Sequence, residues 1–472
     1  MKLLIASHNQ GKVSEFKRLL NQFGFAFTSL SDFPKVDEPD ESGLTLWENA
    51  LIKAMYYYEQ FKMPVVCDDT GFFIDALNGE PGINAARYSG LGDVGNRAKV
   101  LSLLGDNPKR SAHFTTALVF YDGKRLITAS GRVDGVITQC EKGTNGFGYD
   151  AIFMPNGFDK TMAELSSEEK NKCSHRYYAI KQLVFKLNFY LGLSTHKAYL
   201  KQLVKDLYGE ELLDLSAFPG GMSNNTYLMT LSSSKKVVRF PGDCAEIFVD
   251  RNTEYNALQK VNGLTSFVQV DYFDHETGVK ISPFVENSGE LDKEALIKTL
   301  DEFHNLPRFE ENYDPFTRFS YFERLCSVLK IPFDPSFDTA KDKIFKYKEM
   351  LEAREMVSCH NDAQLSNWLF NEKSAVLIDL EFTGNNDLYY DFACFGNNDL
   401  ELGKELLSMS LKRKLSVEDE QVIELWYALQ AMSWYLVALF KAKTGLNELL
   451  NLDFNEIALF FLKKATVLLA NK

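Results

Sequence analysis

Residues 2–12 read KLLIASHNQGK. The apolar run 2–7 reads as a buried strand, HNQGK as a polar turn, and Val13, Phe16, Leu19 and Leu20 then recur at helical spacing. A strand handing over to an amphipathic helix opens an α/β domain. Working outward, residues 44–61 suggest a second helix, and a short strand at 65–67 runs into Asp68-Asp69-Thr70-Gly71. Residues 117–121 and 125–129 flank Asp122-Gly123, a pair whose turn chemistry supplies positive φ, so a hairpin is expected. The pattern over 174–191 is helical and ends at Gly192, a favoured residue past a helix C-terminus. Ser194 or Thr195 can cap a further helix through Leu207. This short Gly-Leu-Ser-Thr stretch is the expected domain boundary, dividing the chain into 1–192 and 196–472. No internal repeats are present.

The second half changes style. Residues 216–239 read as strand, Gly-rich turn, strand, Ser-rich hairpin turn and strand. A helix carrying Glu254 follows, then a strand pair near 268–272 and 279–282. From Asp292 onward helical patterns dominate, broken by the strand-loop segments CHNDAQLSNWLF (359–370) and VLIDLEF (376–382). The expectation is a small β-rich lobe over about 196–285 and a larger helical lobe over about 290–472.

A length of 472 residues calls for two or three cores. With 45% hydrophobic and 25% charged residues, the composition is ordinary for a globular protein and excludes a largely disordered or fibrous chain. The net charge of −13 disfavours a general duplex-binding surface, which needs a basic face. A nucleotide-phosphate site must therefore show itself as a local motif. The 7 cysteines are scattered, odd in number and without a CxxC pair, which points to buried free thiols in a reducing compartment. The N-terminal apolar run is too short for a signal-peptide core. The apolar stretch 426–440 is interrupted by Gln430 and Ser433 and falls short of the ~18–20 residues of a membrane span. A cytoplasmic protein without a membrane span is expected.

Ser7-x-Asn9-x-x-Lys12 sits where a strand ends and a helix begins. Free N–H groups, a hydroxyl, an amide and an ammonium suit phosphate oxygens there. It is not a GxxxxGK[ST] loop, and a capped helix with a surface lysine would look the same. Asp68 and Asp69 can ligate Mg²⁺ or leave one carboxylate poised as a base, or they mark a turn with an Asx hydrogen bond. Lys170, His175 and Arg176 lie together across the entry to a helix, which is equally what a solvated helix start shows.

These signals occur together and in order. SHNQGKVSEF (7–16), ENALIKA (48–54), CDDTG (67–71), PGINAARYSG (81–90), GFGYDAIFMP (146–155) and AELSSEEKNKCSHR (163–176) resemble the inosine/xanthosine triphosphate pyrophosphatase family, from residue 1 to about 192. The resemblance implies an α/β domain with a mixed, elongated central sheet. It also implies Mg²⁺-dependent hydrolysis between the α- and β-phosphates of deaminated purine nucleotides, and a homodimer through this domain. It assigns Ser7, His8, Asn9, Gln10, Gly11 and Lys12 to the triphosphate, with Lys53. Glu41 and Asp69 would hold Mg²⁺, Asp69 also acting as the base, and Thr70 would bind substrate. Phe147, Gly148, Tyr149 and Asp150 would form the base-binding wall, its aromatics stacking on the purine, and Lys170, His175 and Arg176 would complete the nucleotide contacts. Ser7 and Thr70 stand where the family often has Thr and Ser; each keeps the hydroxyl.

In the second half, Asp362 stands five residues before Asn367, and Asp379 follows an apolar strand. This is the layout of kinase phosphoryl transfer: one Asp orients the attacking hydroxyl while the Asn and the later Asp hold Mg²⁺. The turn Gly220-Gly221-Met222-Ser223-Asn224 fits over ATP phosphates. Arg239 in VVRF and Glu254 on the following helix are placed to pair. Residues 196–472 resemble the choline/ethanolamine kinases of the aminoglycoside phosphotransferase-like group, in HND-x-Q-x-x-N and in IDLEFTGNND-x-YYDFA. The resemblance implies an α+β two-lobed protein-kinase-like domain that moves the γ-phosphate of ATP to a choline hydroxyl. Asp362 would be the base, Asn367 and Asp379 the Mg²⁺ ligands, Arg239 the phosphate anchor, and Gln364 would lie near the acceptor. A quaternary ammonium donates no hydrogen bond, so aromatic faces and carboxylates should recognise it. Candidates are Glu381, Phe382, Tyr389, Tyr390, Trp426, Trp434 and Tyr435, though Trp426, Tyr427, Trp434 and Tyr435 are also compatible with a helix core. Residues 290–355 carry no assignment. Another acceptor (ethanolamine, thiamine, an aminoglycoside) or a catalytically silent module is the competing reading of this half.

Overall fold

The computed structural model describes residues 2–218, 224–371, 374–470 and 472. The chain divides into two compact units, Met1–Ala198 with Asp243–Ile247, and Tyr199–Gly242 with Phe248–Lys472.

The first unit is built on a seven-stranded mixed sheet. Strand Lys2–Ile5 runs parallel to both Ala26–Ser29 and Val65–Ile74. The sheet then continues antiparallel through Ser111–Tyr121 and Leu126–Ile137 to Phe153–Pro155. Helix Gln10–Gln22 starts where expected, because Asn9 caps it by accepting from the Lys12 N–H at 3.1 Å. Its apolar face and that of helix His175–Tyr190 bury against the sheet through Val13, Phe16, Leu19, Ile180 and Leu183. A second core at the other end of the sheet gathers Phe72, Phe114, Val133, Ile152 and Phe153. The Asp122-Gly123 turn forms, with Gly123 at φ +92° and the Asp122 carboxylate accepting from the Arg125 N–H at 2.9 Å. One boundary differs from expectation. Asp68–Gly71 is not a turn after a short strand but the middle of a ten-residue strand, Val65–Ile74, paired with Ser111–Tyr121. Ladder pairing satisfies the backbone groups that an Asx turn would otherwise serve.

The second unit opens with a five-stranded antiparallel sheet in the order Tyr272–Phe273, Lys280–Pro283, Lys235–Pro241, Asn224–Leu231, Leu212–Ala217. The strand pair expected at 268–272 is thus confined to two residues on its first arm. Helices follow from Lys293 onward, interrupted by two small hairpin-like pairs. Met356–Cys359 pairs with Gly384–Asp387, and Trp368–Asn371 with Ser374–Leu377. These hold the loops 360–367 and 378–383. Among the described residues one helix, Val417–Lys443, is long and apolar enough to cross a membrane, longer than the 426–440 stretch suggested. Its apolar window is 78% buried inside the protein, as befits a helix apolar on all sides that forms a domain core.

Candidate active sites

In the first unit, the helix start, the central strand and the last helix converge. Lys12 reaches back from the first helix to put Nζ 2.8 Å from Asp68 Oδ2. Lys53, from helix Leu46–Phe61, lies 2.9 Å from Asp69 Oδ1 and 3.3 Å from Glu41 Oε2. Asn49, one turn earlier, donates to Asp69 Oδ2 at 3.3 Å. Successive residues of a strand face opposite sides, and the two acids meet different surroundings. Burial alone would raise Asp68, but Lys12, Arg176 and Lys53 outweigh it and hold that carboxyl well below the usual range. For Asp69 burial prevails over Lys53 and Lys12, and its carboxyl stands above the ordinary value. One acid is thus fixed as an anion and its neighbour is made more basic.

Above them, Glu15 is clasped by Arg176 and, at 2.9 Å, by Lys170, which also binds Asp150 at 2.7 Å. Despite burial, Arg176 and Lys170 pull Glu15 down to about 2. Arg176 also donates to Thr70 Oγ1 at 3.4 Å and lies 5.9 Å from the Phe147 ring centre, with the Lys170 ammonium at 5.1 Å. Gly11 permits this approach, since a Cβ there would stand 2.8 Å from the Phe147 ring. Ser7, His8, Asn9 and Gln10 form the partly exposed rim beside it, Ser7 Oγ accepting from the Asn9 N–H at 3.2 Å. Gly148 is pinned by its N–H to Asp93 (2.8 Å) and its carbonyl to Arg97 (2.8 Å).

Three expected roles change. Tyr149 is 4% exposed, packs on Phe72 and donates to the Ala85 carbonyl at 2.7 Å, so its ring is core and only Phe147 is left as a wall. Asp150 accepts from the Phe147 N–H at 2.9 Å and from Lys170, which makes it the organiser of that loop. His175 stacks on Phe114 at 4.7 Å and is buried. Burial, then Arg176, keeps its imidazole neutral, and its Nδ1 has no partner among the described residues. Sequence reasoning missed Glu15 and Asn49; an acid three residues after Lys12, among the apolar positions of the first helix, was the available signal.

In the second unit, Asp362, Gln364, Asn367, Asp379, Glu381, Asn224 and Trp434 line one cavity of about 290 Å³. Asn367 donates to Asp362 Oδ2 at 2.9 Å, and Gln364 to Asp362 Oδ1 at 3.0 Å. The loop is tied down from behind, Asp391 accepting from the N–H groups of His360 (2.9 Å) and Asn361 (2.6 Å). Burial, then the nearby charge of Asp379, raises the Asp362 carboxyl well above its ordinary value. Asp379 holds φ +67°, a left-handed conformation uncommon for a residue with a side chain and characteristic of functional sites. The Arg239 guanidinium pairs with Asp379, with Glu254 and, at 3.0 Å, with Glu381. Lys280 (2.9 Å) and Arg251 (2.8 Å) complete the shell of Glu254, and against its burial these three cations hold that acid well below the usual range.

Glu381 is not a free carboxylate for an acceptor ammonium: Arg239, Arg251 and Asn224 each lie within 3.0 Å of Oε1 or closer. Tyr389 is absent from the cavity; its hydroxyl donates to Asp419 at 2.5 Å and its ring lies under Arg354. Trp426 and Tyr435 are core, bonded to Asp387 and to the Asp334 N–H. Tyr390 and Phe382 do line the cavity. Gly220, Gly221 and Ser223 lie outside the described residues. Tyr313, Arg318 and Phe322, from the stretch left unassigned, line the cavity as well.

Comparison with known proteins agrees with this division. Residues 3–186 match the Ham1 family and residues 214–426 the phosphotransferase enzyme family. The chain is 48% identical over 185 residues to the dITP/XTP pyrophosphatase of Halalkalibacterium halodurans, covering 38% of this chain and 95% of that protein. Among solved structures, the Staphylococcus aureus Ham1 protein is 37% identical, with 40% of this chain and 98% of that chain covered at a TM-score of 0.37. Choline kinase LicA of Streptococcus pneumoniae is 22% identical, with 58% and 98% covered at a TM-score of 0.49. With its buried Asp68–Asp69 pair ringed by lysines, and a second cavity built on Asp362, Asn367 and Asp379, the chain belongs to the Ham1 family through its first unit and carries a phosphotransferase-family domain as its second.

Proposed function

We propose that the chain is a bifunctional enzyme. Residues 1–192 hydrolyse dITP, ITP and XTP to the nucleoside monophosphate and pyrophosphate, removing deaminated purines from the nucleotide pool. Residues 196–472 transfer the γ-phosphate of ATP to the hydroxyl of choline or a similar amino-alcohol. The observation that carries the first activity is the geometry of the acid pair: Asp68 is held by Lys12 at 2.8 Å, while Asp69 shares Lys53 with Glu41 and accepts from Asn49. In this reading Asp69 takes the proton of the attacking water while Lys12 and Lys53 hold phosphate oxygens. Lys170 and Arg176, 5.1 and 5.9 Å from the Phe147 ring centre and held by Glu15, are the cations nearest a 6-oxo purine stacked on that ring.

Mg²⁺ fits both sites. Glu41 and Asp69 already share one cation, the Lys53 ammonium at 3.3 and 2.9 Å, and offer the hard oxygens this ion prefers. In the second unit the Asn367 amide nitrogen is committed to Asp362, so its oxygen is the atom it would offer beside Asp379. When bound, the ion neutralises charge developing on the phosphoryl group. Asp362 then accepts the acceptor's hydroxyl proton, and Arg239 orders Asp379 as well as anchoring phosphate. The cysteines, buried apart from Cys140 and unbridged, support a reducing, cytoplasmic setting, and we infer a homodimer through the first domain by analogy with the family.

A product assay on the intact protein tests this. ITP, XTP and dITP should release pyrophosphate with kcat/KM at least ~10²-fold above ATP, because the pocket reads the 6-position. Equal rates with ATP would leave a general pyrophosphatase. ATP with choline or ethanolamine should give the phosphorylated amine. Phosphorylation of thiamine or an aminoglycoside alone would keep the kinase chemistry and overturn the acceptor.

A further inference from the structure

The acceptor cavity already contains a cation. Arg318, in the first turn of helix Pro315–Val328, places its guanidinium carbon 4.9 Å from the ring centre of Tyr313, 5.0 Å from Phe382 and 5.5 Å from Phe322. All four residues line the cavity that holds Asp362 and Asp379. Ring faces attract cations through their quadrupole, and several rings around one positive charge are what a quaternary ammonium requires. Here the chain's own side chain fills that place.

Arg318, which lines the cavity, is also held more loosely than the two arginines nearby. Arg239 and Arg251 are each locked by carboxylates. Among the described residues Arg318 pairs with none. It donates Nη2 to the Phe248 carbonyl at 3.1 Å, and its Nε is buried without a partner. One neutral hydrogen bond and an unmet buried donor hold a side chain far less firmly than paired carboxylates do. Asn397 also lines the cavity, and its Oδ1 is a buried acceptor without a partner among the described residues, open to a ligand that can donate a hydrogen bond.

We propose that Arg318 is a resident cation of the acceptor cage, which an incoming ammonium must displace, and that it thereby sets the acceptor's KM and the choice between quaternary and primary amines. This rests on the amino-alcohol reading above. Two positive charges cannot share three rings, so a quaternary ammonium, which depends on ring faces alone, competes with Arg318 directly. A primary ammonium can also donate to Asn397 and depends on the cage less.

The test measures KM for choline and for ethanolamine at saturating ATP, in the full-length protein, for wild type, Arg318→Met, Arg318→Gln and Arg318→Lys. Met keeps the apolar stem, and Gln keeps a donor for the Phe248 carbonyl. Both should lower the choline KM about tenfold, through the ring contacts returned to the ligand, with kcat within about twofold. The ethanolamine KM should fall much less, and Lys, which restores the cation, should return both values to wild type. Adding Phe382→Leu to Arg318→Met should reverse the gain. An unchanged or raised choline KM in both neutral variants, with the ATP KM and thermal unfolding intact, overturns the proposal while leaving the kinase reading standing. Failure of wild type and variants alike to phosphorylate either amine overturns the amino-alcohol reading and this inference with it.

Discussion

Replacing Lys53 by Met should move the acid limb of pyrophosphate release toward neutral pH. In the proposed role of base, Asp69 must be ionised to take a proton from water, so activity should fall as pH drops through its pKa. Its carboxyl already stands above the ordinary value because burial outweighs Lys53 and Lys12. Lys53 is the stronger of these two cations, 2.9 Å from Asp69 Oδ1 in a buried pair. Unit charges ~4 Å apart at an effective dielectric of ~20 interact by about 4 kcal/mol. At 1.36 kcal/mol per pH unit this puts the effect on the order of three units, and opposite charges at such range commonly lower a carboxyl by about 1–3. Removing Lys53 takes that influence away, so the limb should rise by about 1–3 pH units. The assay is kcat/KM for ITP from about pH 4 to pH 9, which reports the free enzyme's groups. Lys53→Arg keeps the charge and should leave the limb in place; the substrate's own ionisation is common to all profiles. A Lys53→Met profile lowered uniformly at every pH, with its limb unmoved, would refute Asp69 as the base and leave Lys53 as a phosphate contact alone.

Asp69→Asn should abolish pyrophosphate release from ITP yet keep ATP-dependent kinase activity near wild type, since the two sites draw on separate units; loss of both at unchanged fold defeats the two-site reading. Asp362→Ala should cut phosphocholine formation by ~10²–10⁴ with ATP binding largely kept, measured by initial rates and nucleotide titration, and a loss confined to KM for ATP would contradict its role. Trp434→Leu should raise the choline KM severalfold, whereas Tyr389→Phe should leave KM untouched and lower thermal stability, by about 1–2 kcal/mol for the lost hydrogen bond to Asp419. A choline KM that responds to Tyr389 and not to Trp434 would mean the acceptor binds outside the cavity described.

Local chemistry was legible wherever it was written in contiguous residues. The caps at Asn9 and Thr195 form as their side chains require, each accepting from an N–H three residues on. Asp362 and Asn367, five apart, meet because the loop between them is short. Tertiary packing decided the rest. Asp-Asp-Thr-Gly carries turn residues, yet the neighbouring strand Ser111–Tyr121 draws it into the sheet. Phe147 and Tyr149 are alike as aromatics in one loop; the Phe72 and Phe114 rings claim only Tyr149's neighbourhood for the core. Arg318 and Phe322 are four apart on a helix and so share a face, a signal present in the sequence. Tyr313 and Phe382 join them only through the fold.

The two sites solve one electrostatic problem in the same way. On the proposed roles, each must keep a carboxylate basic while gathering enough positive charge to hold phosphates, and cations placed directly on the base would depress it. In the first unit Lys12 and Arg176 sit on Asp68, leaving Asp69 to share Lys53 with Glu41. In the second, Arg239 binds Asp379, Glu254 and Glu381, while Asp362 receives only neutral amides from Asn367 and Gln364. Burial is the largest influence on both Asp69 and Asp362, and it raises each carboxyl. The difference lies in degree: Asp69 keeps one cation within contact and Asp362 has none among the described residues. The pyrophosphatase base should therefore respond to loss of a single lysine. Asp362, as the proposed kinase base, should respond to loss of its amides, and Asn367→Ala, which removes a stabilising donor, should raise the acid limb of phosphoryl transfer as well as weaken the proposed Mg²⁺ site.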